Sequence, residues 1–150
     1  MICYTDGATS KNGSEDAVGG WAFAIVDDNG LVFSNSGHLK NTTNNICELT
    51  AVLNACNYLK EVYPFDEHFI YIDSAYVVNC YTLNWYQKWE KNGWINSKKQ
   101  PVANRELWIQ LIEFFKDKNF HFKKVAGHST NEWNNYVDKL AVKAKELDNA

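Results

Sequence analysis

At 150 residues and 17.2 kDa, with 45% hydrophobic and 22% charged residues, the chain is long enough to bury one core without disulfides or a structural metal. A net charge of −3 argues against a uniformly basic nucleic-acid binder, and no charged start with a long apolar run or membrane-length stretch occurs. The expectation is a single domain over residues 1–150, soluble and cytoplasmic, whose four irregularly spaced cysteines (Cys3, Cys47, Cys56, Cys80) are reduced and mostly buried.

The first strand is expected over Ile2 to Thr5, ended by Asp6-Gly7. An apolar run from Gly20 to Val26, then Asp27-Asp28-Asn29-Gly30 and Leu31-Val32-Phe33, carries the Asn-Gly signal of a hairpin. Residues Asn41 to Asn45 are helix-capping in type, and Ile46, Leu49, Leu53 and Cys56 recur at helical spacing, so a helix runs to about Val62 before Pro64 blocks it. His68 to Ile72 is a short apolar run of the central-strand kind that stops at Asp73-Ser74, and a helix is expected from Ala75 to about Trp85. A Trp-rich basic piece continues to Pro101. An amphipathic helix spans about Asn104 to Lys116, with Leu107, Trp108, Leu111, Ile112 and Phe115 on one face. Phe120 to Val125 alternates as a strand, Gly127 to Asn131 is a polar loop, and a last helix from about Glu132 to Leu147 buries Val137, Leu140, Ala141 and Ala144.

Three strands, then helix, strand, helices, strand and helix, predict an α/β fold with a five-stranded mixed sheet, antiparallel at first and parallel later, flanked by helices on both faces. Ligands of such sheets gather at the carboxyl ends of the strands. If the first and fourth strands are parallel neighbours, Asp6 and Asp73 share one site, and Glu48 and Asp138 on their helices can reach it. Singly, each acid has an ordinary explanation as a turn, helix-start or exposed helix residue. Together they form a hard oxygen donor set without cysteine or histidine, which selects Mg²⁺, with Mn²⁺ as a substitute, over zinc. Such a cluster suits two ions and phosphodiester hydrolysis.

The charge is unevenly spread. Between Lys88 and Arg105 five cations stand against Glu90 alone, a local +4 that leaves −7 for the remainder, and Trp89 and Trp94 lie among them. Cations interleaved with aromatics suit a phosphate-and-sugar contact surface, although a solvated helix and loop would have the same composition.

In this order and spacing, Tyr4-Thr5-Asp6-Gly7, Thr42-Thr43-Asn44-Asn45 before Glu48-Leu49, Ile72-Asp73-Ser74, Asn92-Gly93-Trp94, and Gly127-His128-Ser129 ten residues before Asp138 resemble type 1 ribonuclease H nearly end to end. The resemblance implies endonucleolytic cutting of the RNA strand of RNA/DNA hybrids, leaving a 5′-phosphate and a 3′-hydroxyl, with two Mg²⁺ ions held by Asp6 (shared), Glu48, Asp73 and Asp138. It assigns proton handling and product release to His128, a role an imidazole in a polar loop suits near neutral pH. His38, His68 and His121 are expected to be structural or solvent-facing. By the same resemblance Asn12, Asn44 and Asn45 contact the two strands, Thr43 and Asn104 hold a DNA phosphate, and Trp89 lies along the deoxyribose with Ser97 supporting it. Neutral donors and acceptors of this kind suit 2′-hydroxyls in the wide minor groove. Trp85 and Trp108 are assigned to core packing.

Asn41 and Ala75 depart from the basic and glutamine-like residues common at their positions. Lys88-Trp89-Glu90-Lys91-Asn92 is less basic than in many bacterial members, so modest affinity and a shallow salt dependence are expected. Because the chain begins directly in its first strand, no separate hybrid-binding module is expected, and Met1 with the Trp-rich segment favours a standalone enzyme, expected as a monomer, over a nuclease domain clipped from a reverse transcriptase. Two other functions compete. A proofreading exonuclease would want Asp-x-Glu where Asp6-Gly7-Ala8 stands, whereas a junction resolvase remains a relative by fold alone. An inactive hybrid-binding scaffold would have lost a metal-binding acid, and none is lost.

Overall fold

The computed structural model describes residues 1–12, 14–125 and 131–146. Strand β1 (Ile2–Ser10) pairs antiparallel along its whole length with β2 (Val18–Asp27), which pairs antiparallel with β3 (Gly30–Lys40). The β2–β3 turn is closed by Asp27 Oδ1, which accepts from the Asn29 N–H at 2.8 Å, and by Gly30, whose φ of +116° is open to glycine and strained for other residues.

Helix α1 (Asn44–Val62) begins at Thr43, whose Oγ1 accepts from the Ile46 N–H at 3.2 Å, and ends at Tyr63 ahead of Pro64. Strand β4 (His68–Ile72) then adds parallel to β1, and β5 (Phe120–Lys124) adds parallel to β4. The sheet order is β3-β2-β1-β4-β5, the expected mixed sheet.

The remaining helices are α2 (Ala75–Thr82), α3 (Trp85–Asn92), α4 (Arg105–Phe115) and α5 (Glu132–Glu146). Alternation along β2 divides the core between the two sheet faces. Phe23 and Ile25 join the large cluster of Leu49, Val52, Leu59, Ile70, Trp108 and Leu111, whereas Ala22 and Ala24 pack with Val137 and Ala141 of α5. The four cysteines are free and buried. Leu140, expected in the core, is only partly buried beside the α5 cluster. Among the described residues no helix is long and apolar enough to cross a membrane.

Two boundaries correct the sequence expectation. Asp6-Gly7 does not end the first strand, because β1 continues to Ser10. Gly7 serves a close approach there: a Cβ on it would stand 2.7 Å from the Cys47 carbonyl carbon and 2.8 Å from the Glu48 nitrogen. The helix expected from Ala75 to Trp85 is two helices, since Asn84 adopts a left-handed conformation (φ 57°) and α3 starts afresh at Trp85. Trp85 is partly buried and packs against the main core cluster as expected, while its free side lines a groove with Lys88 and Trp89. Trp108 is fully buried as expected, with its Nε1 donating to the Tyr76 hydroxyl at 2.9 Å.

Candidate active site

The last rung between β1 and β4 is Thr5 opposite Ile72, and the residue after each is an acid, Asp6 and Asp73. Beyond this rung β4 has ended while β1 runs on, so the sheet opens beside Asp6. Glu48 arrives in the second turn of α1, brought close by the absent side chain at Gly7. Asp138 comes from α5, which seats on the strands at Gly20, where a Cβ would stand 2.1 Å from the Ala141 carbonyl oxygen. The four carboxylates line one solvent-open cavity of about 380 Å³ with Gly7, Asn44, Asn45 and Ser74, so the expected convergence is present.

Asp6 is 5% exposed and accepts from the Gly7 N–H at 2.9 Å. Burial, with the Asp138 carboxyl nearby, pushes its pKa up to about 7 from 3.8. Burial and the neighbouring Asp6 charge raise Glu48 well above the ordinary carboxylate range. Glu48 Oε2 is buried without a hydrogen-bond partner. The described residues lining the cavity include no lysine or arginine to neutralise these acids.

An unpartnered buried carboxylate oxygen, two acids driven toward protonation, and an all-oxygen donor set together fit a hard divalent cation. Among the described residues no three Asp, Glu, His or Cys side chains close into a preformed cage. Mg²⁺ tolerates such openness, because it keeps several waters and takes phosphate oxygens beside one or two carboxylates.

The expected substrate residues fall into two groups. Asn12, Thr43, Asn44, Asn45 and Asn104 line a second cavity of about 430 Å³, which shares Asn44 and Asn45 with the carboxylate cavity. Asn12 Oδ1 accepts from the Asn44 N–H at 2.9 Å, and Thr9 donates to the Asn44 side chain, so this rim is pre-ordered. Thr43 spends an acceptor site on capping α1, which leaves its hydroxyl hydrogen for an anion.

Trp89 and Ser97 line a third, separate groove of about 410 Å³ with Trp85, Lys88, Asn92, Ile95 and Asn96. Asn96 escaped the sequence reading although it shapes this groove: its Oδ1 accepts from the Lys98 and Gln100 N–H groups, each at 2.9 Å. The antiparallel bridge between Ile95 and Pro101 and the Arg105 guanidinium over the Trp94 ring, 5.6 Å from its centroid, tie this segment back toward Asn104.

His128 lies outside the described residues, but both flanks of its segment are anchored. The Val125 N–H donates to the Ile72 carbonyl at 2.9 Å, one residue before Asp73, and Asn131 Nδ2 donates to the Tyr4 hydroxyl at 3.2 Å, two residues before Asp6. Tyr4, Tyr71 and Asn131 were missed by the sequence reading; the signal available was that each tyrosine shares its strand parity with the following acid. Of the other histidines, His68 is buried against the Tyr63 carbonyl, His121 pairs with Glu67 at 2.5 Å, and His38 Nδ1 contacts the Ala144 carbonyl at 3.1 Å, all outside the carboxylate cavity as expected.

The RNase H family model matches residues 1–146. A ribonuclease H of Clostridium botulinum is 42% identical over 153 residues, spanning 97% of this chain and 95% of its own. The solution structure of the PFV RNase H domain superposes with a TM-score of 0.80 at 23% identity, over 97% of this chain and 94% of that one. The crystal structure of LC11-RNase H1 in complex with an RNA/DNA hybrid does so with a TM-score of 0.70 at 22% identity, over 97% and 96% of the two chains. The structural likenesses establish the fold, and the family match with the close relative establishes kinship: this chain belongs to the ribonuclease H family.

Proposed function

We propose that the chain, as one catalytic domain, cuts the RNA strand of RNA/DNA hybrids internally by metal-dependent hydrolysis. The observation that carries this reading is the convergence of Asp6, Glu48, Asp73 and Asp138 on one cavity that shares its rim with a cradle of neutral Asn and Thr groups. Its kinship with ribonucleases H and the hybrid bound by LC11-RNase H1 support the substrate class. Retention and convergence of all four acids argue against a binding-only role.

Asp6 serves both halves of the site in this reading, which its place in one cavity with Glu48, Asp73 and Asp138 supports. Two Mg²⁺ ions, or Mn²⁺ in their place, would polarise the attacking water and neutralise charge on the leaving oxygen when bound. Asp6, Glu48, Asp73 and Asp138 would hold those ions, since bare carboxylates would repel the scissile phosphate. Water oxygen bonds to phosphorus as the P–O3′ bond breaks, leaving a 5′-phosphate on one fragment and a 3′-hydroxyl, after proton uptake, on the other. His128 handles that proton traffic. Asn12, Asn44 and Asn45 meet 2′-hydroxyls and base edges in the minor groove, and Thr43 and Asn104 hold a phosphate of the DNA strand. Trp89, supported by Ser97, offers a flat surface on which a deoxyribose lies and a 2′-hydroxyl would clash. The protein acts as a cytoplasmic monomer.

The test is cleavage of one end-labelled RNA annealed to DNA, annealed to RNA, or alone, with Mg²⁺. Internal cutting confined to the hybrid is expected. Equal cutting of duplex RNA would contradict the proposal.

A further inference from the structure

Tyr4 stands two residues before Asp6 on β1, and Tyr71 two residues before Asp73 at the end of β4, so each tyrosine shares strand parity with the acid that follows. The two tyrosines are register partners across the parallel strands, and their rings stack with centroids 5.1 Å apart at 18° between planes. The Tyr4 hydroxyl accepts from Asn131 Nδ2 at 3.2 Å. The other end of the same amide is committed as well: Asn131 Oδ1 accepts from the Trp133 N–H at 2.9 Å and the Asn134 N–H at 3.1 Å, capping the first turn of α5. Asp138 follows seven residues later, close to two turns along the helix and on the same side. A row of Tyr71, Tyr4 and Asn131 therefore precedes, on the same elements and in the same order, the row of Asp73, Asp6 and Asp138.

The packing of α5 explains why such a row is needed. The helix rests on Gly20, Ala22 and Ala24, a surface of small side chains with few knobs to stop it sliding along its axis. The His38 Nδ1 contact with the Ala144 carbonyl at 3.1 Å holds the far part of the helix, and the Tyr4–Asn131 hydrogen bond is the directional contact at its start, nearer Asp138. Asparagine suits residue 131 on chemical grounds, since serine or aspartate would cap the helix equally well but only the amide also donates to Tyr4 while its oxygen caps.

We propose that Tyr4 and Asn131 are positioning residues, whose hydrogen bond fixes where α5 enters the site and so holds Asp138 at its working distance from Asp6. This rests on the reading of those acids as holders of the catalytic ions. Outer partners of this kind act through the groups they orient, without touching substrate.

The experiment compares the unsubstituted protein with Tyr4→Phe, which keeps the ring stack, Asn131→Ser, which keeps a neutral cap, and the double variant. Thermal midpoint, kcat and KM on a hybrid, and Mn²⁺ affinity by calorimetry without substrate are measured. Each single variant is expected to lose about tenfold in Mn²⁺ affinity, the scale of outer-partner loss, and to lose kcat in parallel. KM for the hybrid should hold and the midpoint should shift little, while the double variant should be no worse than the weaker single. If the unsubstituted protein cuts hybrid and both single variants match it in kcat and Mn²⁺ affinity, the positioning role is overturned while the carboxylate reading stands. If the unsubstituted protein neither cuts nor binds Mn²⁺, the carboxylate reading falls and the positioning role with it.

Discussion

Asp6 on the central strand and Glu48 on the helix that covers it line one cavity, yet Glu48 Oε2 is buried there without a hydrogen-bond partner. The pair is therefore arranged for a ligand, and without one it weakens the fold at neutral pH. Folded Asp6 titrates near 7 against 3.8 when unperturbed, so between those values the folded state binds more protons than the unfolded state. Stability must then fall as pH rises through that window, with the Asp6 contribution intact below about 4 and lost above about 7. Glu48 adds in the same sense. His68, whose pKa is lowered by burial, works in the opposite direction, so the contribution is isolated by difference. Urea unfolding of EDTA-treated protein and of Asp6→Asn at pH 5 and pH 8 should show the variant gaining on the parent as pH rises. Mg²⁺ should raise the parent midpoint more at pH 8 than at pH 5. A parent that gains on the variant with rising pH, without metal, would contradict this.

Gly20→Ala tests the seat of α5. The added methyl would stand 2.1 Å from the Ala141 carbonyl oxygen and 2.6 Å from the Lys145 nitrogen, both backbone atoms that cannot swing aside. Overpacking of this kind costs about 1–3 kcal/mol, and displacement of α5 carries Asp138 with it. Chemical denaturation should show the loss of stability, and cleavage measured where the variant is still folded should show lower kcat. Unchanged values in both assays would mean that α5 relaxes around the methyl.

Thr43 has two roles that substitution can separate. Thr43→Ala should cost about 1 kcal/mol of stability through loss of the helix cap and should raise KM for the hybrid through loss of the phosphate contact. Thr43→Ser retains both the cap and the hydroxyl, so it should restore both readings. A KM rise in Thr43→Ser equal to that in Thr43→Ala would assign the contact to the methyl group instead.

The groove of Trp85, Lys88 and Trp89 predicts a shallow salt dependence, because Lys88 is the single cation among its described lining residues. The slope of log affinity against log salt should be shallower than about −3, and Lys88→Gln should reduce its magnitude by roughly one while leaving kcat alone. A slope steeper than about −6 would place many more phosphate contacts on this surface than the groove supplies.

Much of this arrangement was legible in the sequence, for local reasons. His68 to Ile72 stops at Asp73 because an apolar run gives way to a carboxylate and a helix cap, a signal carried by adjacent residues. Asp6-Gly7 misled because the pair reads as a turn; the glycine instead makes room for α1, a demand set by a helix some forty residues on. The break between α2 and α3 had no proline or glycine to announce it, only an asparagine able to take a left-handed conformation. The Tyr4–Asn131 contact joins residues 127 apart, and no local periodicity encodes such a pairing.

Asp73→Asn removes one carboxylate charge at the end of β4 while keeping shape and hydrogen-bonding capacity, so it separates chemistry from folding and binding. Single-turnover cleavage of an end-labelled RNA/DNA hybrid with Mg²⁺, measured beside hybrid affinity, is the most direct measurement. The parent should cut the RNA strand internally and the variant should lose cutting by more than about a hundredfold, on the scale of removing an electrostatic catalytic group, with hybrid affinity retained. A variant that cuts as fast as the parent would contradict the assignment of the carboxylate cluster as the catalytic centre.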